Sequence, residues 1–562
     1  MQSHKSIRQL ISPRQTRKSN NFLIAILGLW LLSIGMHLNG ISHGPLRDWD
    51  ESIVARISLE ISQRNGAERF LPTLWGENYL NKPPGIHFLI GLAINSWRAL
   101  SGESGSELPP EWIIRLAPSL IASSLPPLIA ITQLKLRPNR HDIAIWAGVI
   151  TLSLIPIVRN GHLAMLDNSQ LVAMTLIWLG LLSAGNKSVN NLAVGVLVGA
   201  ATSFLLMLKA PVALPVLIAS LLIRALDREL KASSWQTLML GISLGVLPGM
   251  CWHLMHWLER GSEAFHMWGG QGFARVTTSI EKHSGGPLTP IIQVLIGAWP
   301  WLPLWPAGVV MAWRNRTQSG FRWSLGLSLF STLLVLPLQT QLPWYSLLLW
   351  PPFIFVVAPI QADLISGRLR SPLIKGIGTI WACLGISILL VILLSSLPTI
   401  QNNLGDVKII ALPAGIGLTV GGLLVARDLR RILGSGILII GWLSSMFILF
   451  STPLWNWELN ENPHISQLIP LVKQIKDEST NILVTDGMEF RPSLAWYAGQ
   501  EIRPWPVLTK KNLEKPFVVI APTKSIESSA LFLSGANKSL NCKLTKLSKN
   551  SSWASWLCRQ SN

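Results

Sequence analysis

The chain has 562 residues, of which 49% are hydrophobic and 13% are charged, and its mean hydropathy is +0.40. Soluble domains carry roughly 25% charged residues, so this composition excludes an ordinary soluble enzyme, a disordered chain, a coiled coil and a disulfide-rich secreted module. The net charge of +19 indicates Lys- and Arg-rich cytoplasmic loops and no nucleic-acid partner, because the basic residues form no contiguous face.

The chain begins with a basic tail over residues 1–21, and an apolar run over 22–38 follows it. The basic residues of the tail predict that it lies in the cytoplasm. No small-residue cleavage site follows the apolar run, so we interpret the run as a signal anchor that is kept.

Twelve further apolar runs are long enough to predict membrane spans. They lie near 113–134, 142–158, 168–185, 189–208, 211–226, 236–258, 289–313, 322–340, 343–363, 373–398, 408–426 and 432–451. A run over 84–100 is short and contains His87, Asn95 and Arg98, and counting it as a span would move every later basic cluster outside. We therefore predict an all-α polytopic membrane protein of about 13 transmembrane helices, with juxtamembrane helices in a first outer loop over 39–112.

The composition changes at residue 452, because 22 of the last 111 residues are charged and no run there is long enough to span a membrane. Short apolar runs at 481–485 and 516–521 predict strands, after a helix-like pattern near 465–475. We predict a small α/β domain over 452–562 on the outer face. Cys542 and Cys558 both lie in it, and a disulfide between them and two free thiols both stay open.

The first outer loop concentrates charge in a charge-poor protein, since nine of the nineteen Asp and Glu residues before 452 lie within 39–111. Asp50 and Glu51 directly precede an amphipathic pattern over 52–62, which is typical of a helix lying in the membrane interface. Lys82 precedes two prolines, which hold it in extended backbone. Each charge alone is better explained as a solvated loop charge, but together they favour a site.

Other ionisable and polar side chains fall at predicted outer ends of spans. Asp167 opens one span and Lys209 ends another, and the thirteen-span topology places both on the face that carries Asp50 and Lys82. Ionisable residues at membrane depth are costly and usually functional, although snorkelling to the interface is the alternative. The outer loop 259–288 adds Arg275 and His283, and a later outer turn adds Tyr345.

A cluster of both signs at the outer interface predicts transfer from a phosphate-linked lipid donor. A carboxylate can accept the proton of an attacking hydroxyl, and cations can stabilise the phosphate that leaves. A proton or ion relay would instead require acids in the middle of the spans, which hold almost none.

At these residues the sequence resembles the GT-C membrane glycosyltransferases, in the branch of the protein O-mannosyltransferases and the lipid A aminoarabinose transferase. The resemblance covers the whole chain and is strongest from 48 to 215. The matching elements, in chain order, are Asp50-Glu51, Lys82-Pro83-Pro84, Arg115-Leu-Ala-Pro-Ser119, Asp167, Lys209-Ala-Pro211, His283, Trp299-Pro-Trp301, Tyr345 and Ser493-Leu-Ala-Trp-Tyr-Ala-Gly499.

The resemblance implies a GT-C transmembrane domain over 22–451 and a bacterial-type inner membrane location, with lipid A or protein glycosylation as the class of process. It implies a polyprenyl-phosphate sugar as donor, a lipid, glycan or protein as acceptor, and contact with membrane lipids. Asp50, Glu51 and Asp167 are then the catalytic candidates, with Asp50 as the base. Attack opposite the phosphate would invert the anomeric centre. The substrate- and phosphate-binding candidates are Lys82, Lys209, Arg275, Tyr345 and His283.

The sequence departs from the family pattern at three positions. Asn81 replaces a Glu that ligates metal in some relatives, so no cofactor is certain and a divalent metal ion held by Asp50, Asp167 and His283 stays open. Ile53 replaces a frequent Arg, and Gln341 stands where a Lys is expected.

Two other classes of function compete with the glycosyltransferase. A polytopic lipid or solute transporter or flippase would place its polar site at mid-membrane on broken spans. A non-enzymatic assembly protein would tolerate the loss of Lys82 and Asp167.

Overall fold

The computed structural model describes residues 13–103, 107–186, 189–227, 232–278, 286, 288–396, 405–428, 430–457, 468–470, 472–473, 481–484, 492–504, 517–522, 540–547 and 553–560. The described chain divides into two compact units. The first contains Met1–Ile41, Leu80–Ile86 and Leu116–Trp455, and the second contains Ser42–Tyr79, His87–Arg115 and Asn456–Asn562.

Helices dominate the chain up to residue 450. They are α1 (Pro13–Leu38), α2 (Asp50–Gln63), α3 (Gly85–Ser101), α4 (Glu111–Ser123), α5 (Leu125–Leu136), α6 (His141–Ser153), α7 (Ile155–His162), α8 (Asp167–Ser183), α9 (Asn191–Leu226), α10 (Ala232–Arg260), α11 (Ala274–Thr277), α12 (Thr289–Gly297), α13 (Trp305–Arg314), α14 (Ser319–Val335), α15 (Trp350–Ile365), α16 (Ser371–Leu394), α17 (Val407–Ala426) and α18 (Arg431–Phe450).

Within the described residues, eight helices are long and apolar enough to cross a membrane, or ten if each of two bent helix pairs forms one span. The bent pairs are α6 with α7, at 59°, and α12 with α13, at 108°. The α3, α8 and α14 helices have 17 residues each, and none of the three is among these candidates. The number of thirteen spans and the prediction that α3 does not span the membrane both stay predictions.

The long α9 helix is broken at Lys209, whose φ of −144° and ψ of 83° are not helical. Two residues later comes Pro211, which lacks the amide hydrogen that would bond to the carbonyl of Met207. The break separates the two runs that the sequence predicts as different spans, 189–208 and 211–226.

The first half of α9 packs in parallel with α10 through small residues. Gly195 lies against Gly241, and four residues later in both helices Gly199 lies against Gly245. Glycine at these positions lets two backbones approach closely, as in the small-xxx-small interfaces of membrane helices. Because only a short connection joins α9 to α10, the second half of α9 must run back, and Lys209 lies at the apex of a helical hairpin.

The core of the first unit contains several fully buried tryptophans. The indole of Trp301 donates to Ser153 Oγ at 2.8 Å, and that of Trp381 donates to the carbonyl of Pro300 at 2.7 Å. Trp301 also packs edge-on against Trp381, with ring centroids 6.4 Å apart. The chain has 26 Trp residues. Because lipid cannot accept a hydrogen bond from an indole, these bonds within the protein satisfy the indole donors, and some of the tryptophans thereby stabilise the contacts between helices.

In the second unit, α2 carries a small hairpin formed by β1 (Thr73–Leu74) and β2 (Glu77–Asn78). Trp75 and Gly76 form its tight turn with φ of 56° and 84°, the positive values that a two-residue hairpin needs. The carboxylate of Glu60 on α2 accepts from the Trp75 amide at 2.8 Å and from the Thr73 hydroxyl. The hairpin is therefore fixed to the helix that follows Asp50.

The rest of the second unit contains a five-stranded mixed sheet. Its strands are β3 (Asn481–Val484), β4 (Arg503–Pro504), β5 (Phe517–Pro522), β6 (Leu540–Leu547) and β7 (Trp553–Gln560), in the spatial order β4-β3-β5-β7-β6. The β3 strand runs parallel to β4 and β5, and the helix α19 (Pro492–Ala498) connects β3 to β4. The β3 and β5 strands coincide with the two strands predicted from sequence. In the antiparallel pair of β6 and β7, Cys542 stands directly opposite Cys558.

Candidate functional site

The first unit brings Asp167 and Lys209 together across 42 residues of sequence. Lys209 Nζ donates to Asp167 Oδ1 at 2.6 Å, and their side chains are 21% and 10% exposed. Asp167 is the first residue of α8, and Lys209 lies at the apex of the α9 hairpin, where the break frees its side chain from a helical surface. Pairing offsets part of the cost of burying two groups of opposite charge.

Tyr345 extends this ion pair to Arg275. Lys209 Nζ lies 5.4 Å from the centroid of the Tyr345 ring, within the range of a cation–π contact, and Arg275 Nη1 donates to Tyr345 Oη at 2.5 Å. The backbone carbonyl of Arg275 accepts from the amides of Gln339 and Thr340 at 2.9 and 3.2 Å. Four residues that the sequence singles out thus form one cluster, which we call the cationic cluster: Asp167, Lys209, Tyr345 and Arg275.

The turn that carries Lys82 packs on the same hairpin. Gly85 is in contact with Met207, two residues before Lys209, and a Cβ at Gly85 would lie 2.6 Å from the Met207 carbonyl oxygen. Lys82 itself is half-buried. The Lys-Pro-Pro-Gly sequence therefore needs its glycine so that this turn can approach the break in α9.

The second unit carries Asp50 at the first position of α2. The preceding residue, Trp49, has φ 59° and ψ −79°, and the Asp50 amide donates to the Asp48 carbonyl at 2.8 Å. This is a γ-turn of the rare positive-φ class, which is strained for any residue with a side chain. Strained backbone of this kind is concentrated at functional sites.

Glu51, the other member of the predicted acidic pair, has both carboxylate oxygens engaged and is fully buried. Arg115 Nε donates to Oε1 and Arg115 Nη2 donates to Oε2, both at 2.9 Å, and the Arg47 amide donates to Oε2 at 2.9 Å. Such a carboxylate holds a loop in place, because its oxygens accept hydrogen bonds from Arg115 and from the Arg47 amide. The adjacent residues Asp50 and Glu51 therefore differ sharply in environment, although their sequence positions look equivalent.

Two further buried residues next to this loop were not among the predicted site residues. The Ser493 amide donates to Asp48 Oδ1 at 3.0 Å, and the Leu46 amide donates to Tyr497 Oη at 2.7 Å. Asp48 belongs to the acidic run and Tyr497 to the Ser-Leu-Ala-Trp-Tyr-Ala-Gly element. Both residues thus lie in elements that are visible in the sequence, but the contact between these elements depends on the tertiary structure.

His283 lies outside the described residues. Among the residues that the structure describes, no three His, Cys, Asp or Glu side chains group closely enough to hold a metal ion.

Comparison with known proteins finds similarity among solved structures. No family model matches the chain, and no curated protein matches it significantly. The crystal structure of ArnT from Cupriavidus metallidurans bound to undecaprenyl phosphate superposes with a TM-score of 0.67 at 15% identity, over 96% of this chain and 98% of that one. The chain has the GT-C fold.

Two other solved structures extend this comparison. The apo state of the same ArnT gives a TM-score of 0.68, with the same identity and coverage. The archaeal oligosaccharyltransferase AglB from Archaeoglobus fulgidus, in complex with an inhibitory peptide and a dolichol-phosphate, gives 0.49 at 10% identity, over 92% of this chain and 71% of that one. The GT-C fold and the apolar helices together make the chain a multi-pass membrane protein.

Proposed function

We propose that the chain is an integral membrane glycosyltransferase. It transfers a sugar from a polyprenyl-phosphate-linked donor to an acceptor hydroxyl or phosphate at the outer face of the membrane, with inversion at the anomeric carbon. The main support for the proposal is the cationic cluster. At the break of the α9 hairpin, an anion can contact two cations, Lys209 and Arg275, and the phenol of Tyr345. The GT-C fold, shared with an ArnT that was crystallised with undecaprenyl phosphate, supports the choice of donor.

In the proposed reaction, the Asp50 carboxylate accepts the proton of an acceptor hydroxyl as the oxygen attacks the anomeric carbon. The bond from that carbon to the phosphate oxygen breaks, and the phosphate leaves with the electron pair. Lys82, Lys209 and Arg275 stabilise the charge that develops on the phosphate. An acceptor that is already an anionic phosphate needs no base.

The remaining residues of the cationic cluster hold these cations in place. Asp167 orients the Lys209 ammonium through their ion pair, and the Tyr345 hydroxyl orients the Arg275 guanidinium. We assign Glu51 to a positioning role, because its oxygens are occupied by Arg115 and the Arg47 amide. The proposed location is a bacterial-type inner membrane, with the N-terminus in the cytoplasm and the second unit outside.

The proposal is tested with purified protein in vesicles. A polyprenyl-lipid extract of cells that express the chain serves as donor, and mass spectrometry measures the free polyprenyl phosphate released. Wild type should release it, whereas Asp50→Asn should lower release to hydroxyl acceptors about a hundredfold or more and leave a measurable residual rate, and Lys209→Met should lower release at least tenfold. Lys408→Met is a matched control, because Lys408 is also half-buried at the end of a helix and donates to the Ser395 carbonyl at 3.0 Å; it should behave as wild type.

Release that is unchanged in both Asp50→Asn and Lys209→Met would contradict the proposed mechanism. Movement of labelled lipid across the bilayer without any sugar transfer would instead support the transporter or flippase. Mass spectrometry of envelope lipids and glycoproteins from cells lacking the chain would then identify the sugar and the acceptor.

A further inference from the structure

The reaction proposed above gives no role to residues 493–499, yet this segment of the second unit contacts the loop that carries Asp50. The loop and the segment are separated by more than 400 residues of sequence. We infer that Tyr497 is a positioning residue that fixes the 43–51 loop, and through it Asp50, so that the outer domain takes part in sugar transfer. This inference rests on the proposed role of Asp50 as the base.

The loop needs external support because its turn is strained. Trp49 occupies the positive-φ γ-turn directly before Asp50, and the residue is 40% exposed. Strained conformations of this kind persist only where surrounding contacts over-determine them. The contacts that hold the turn are therefore expected on both sides of Trp49.

After the turn, the support comes from α4. Arg115 holds Glu51 through two bonds of 2.9 Å. The same guanidinium donates to the carbonyls of His43, Gly44 and Pro45 at 3.3, 3.2 and 2.8 Å. One buried arginine thus ties the beginning of the loop to its end.

Before the turn, the support comes from α19 of the outer domain. Tyr497 Oη accepts the Leu46 amide hydrogen at 2.7 Å, and the Ser493 amide donates to Asp48 Oδ1 at 3.0 Å. These two bonds bracket residues 46–48, which directly precede Trp49. Tyr497 is 3% exposed, so water cannot replace its hydroxyl.

The Tyr497 hydroxyl also connects the outer domain to α4. It donates to Glu111 Oε1 at 2.9 Å, and burial together with the nearby Glu111 carboxylate raises the pKa of the phenol above its ordinary value. The phenol therefore keeps the proton that it donates. Glu111 and Arg115 are four residues apart on one face of α4, so this face contacts both sides of the strained turn.

The inference is tested with Tyr497→Phe, which removes the hydroxyl and keeps the ring. In the vesicle assay with the polyprenyl-lipid extract, we expect kcat to fall about tenfold, because small displacements of a reacting group cost one to two orders of magnitude. The amount of extract that gives half-maximal rate should stay within about twofold. Hydrogen exchange of a peptide covering 43–51 should become faster, since the Leu46 amide loses its acceptor.

Lys473→Met is the matched control. Lys473 Nζ lies 4.7 Å from the centroid of the Tyr497 ring and makes no contribution to the hydroxyl network, so this variant should keep wild-type kcat and exchange.

A second pair of variants is independent of Tyr497. Asp48→Asn keeps an oxygen acceptor for the Ser493 amide and should retain more activity than Asp48→Ala.

A double variant separates positioning from general damage. If Tyr497 acts through Asp50, adding Tyr497→Phe to Asp50→Asn should leave the residual rate unchanged. A further tenfold loss in the double variant, or wild-type kcat and exchange in Tyr497→Phe alone, would overturn the inference. Wild-type activity of Asp50→Asn would instead show that Asp50 is not the base. That result would contradict the proposed function independently of the result for Tyr497→Phe.

Discussion

Arg115 and Glu51 form a fully buried, two-bond ion pair across 64 residues of sequence. Neither side chain is exposed to solvent. The pair joins the second turn of α4 to the first turn of α2, and so fixes the position at which α2 begins. Asp50 is the residue before Glu51, so the geometry of the proposed base depends on this pair.

Breaking this pair should destabilise the second unit strongly. Glu51→Ala leaves the Arg115 guanidinium charged and buried without its carboxylate, which typically costs about 3–5 kcal/mol. Thermal unfolding in detergent should show a clear fall in midpoint, with loss of the second unit to limited proteolysis. The double variant Glu51→Met with Arg115→Met should lose less, because it buries no unpaired charge; an equal or larger loss would show that the pair is not the main support.

Tyr345→Phe should weaken the cationic cluster without unfolding it. The ring keeps its contact with Lys209, whereas the Arg275 guanidinium loses the hydroxyl at 2.5 Å. Because a hydrogen bond to a charged group contributes about 1.5–3 kcal/mol, we expect transfer activity at low donor to fall about tenfold or more. Initial rates over a range of polyprenyl-lipid extract measure this loss. Tyr79→Phe removes another buried tyrosine hydroxyl outside the cluster and serves as the control; equal losses in both variants would refute a specific role for Tyr345.

The glycine contacts between α9 and α10 should tolerate no side chain. Gly199→Val places two methyl groups where the backbone of Gly245 lies, with a Cα of Gly245 2.8 Å from the position of the first added carbon. Such overpacking costs about 1–3 kcal/mol or more, so the yield of monodisperse protein should fall. Gly376→Ala, on a helix where nothing lies within 4 Å of the added carbon, should be harmless. Normal yield of Gly199→Val would mean that the two helices do not approach each other in this way.

Cys542 and Cys558 should form a disulfide in the natural location of the protein. They are direct partners in the antiparallel register of β6 and β7, and opposite residues in such a pair have Cα atoms about 4.5–5.5 Å apart, within the range for a disulfide. Closing a loop of this length contributes about 3 kcal/mol. Thiol alkylation with mass spectrometry should modify both cysteines only after reduction.

Cys251 and Cys383 are free thiols on α10 and α16 and serve as the internal reference when the protein is denatured before alkylation. Detection of unpaired Cys542 and Cys558 in protein isolated without reductant would contradict the disulfide, and with it the predicted oxidising compartment of the second unit.

The membrane helices were largely predictable because apolar length and Lys–Arg distribution are local properties. The break at Lys209 follows from Lys209-Ala-Pro211, and the expectation that Asp167 and Lys209 share one end of the spans is consistent with their ion pair of 2.6 Å. The sequence could not show that Tyr345 lies between Lys209 and Arg275, because that contact depends on how three separate segments pack.

The acidic pair shows the limit of local reasoning most clearly. Asp50 and Glu51 are chemically similar neighbours, and both were catalytic candidates. The structure places Glu51 on the buried side of α2 against Arg115, whereas Asp50 follows a strained turn. Adjacent residues at the start of a helix point in different directions, and only the partners on α4 reveal which direction is buried.

The sequence by itself determined that this is a polytopic membrane protein whose scarce acids are concentrated in one segment, residues 39–111. Those properties depend on the solvation cost of charge in lipid, which acts on each segment separately. The tertiary structure alone decided that Asp167, Lys209, Tyr345 and Arg275 meet, and that Tyr497 reaches the loop of Asp50. These contacts join residues distant in sequence, and their energies depend on burial and geometry that arise only when the segments pack together.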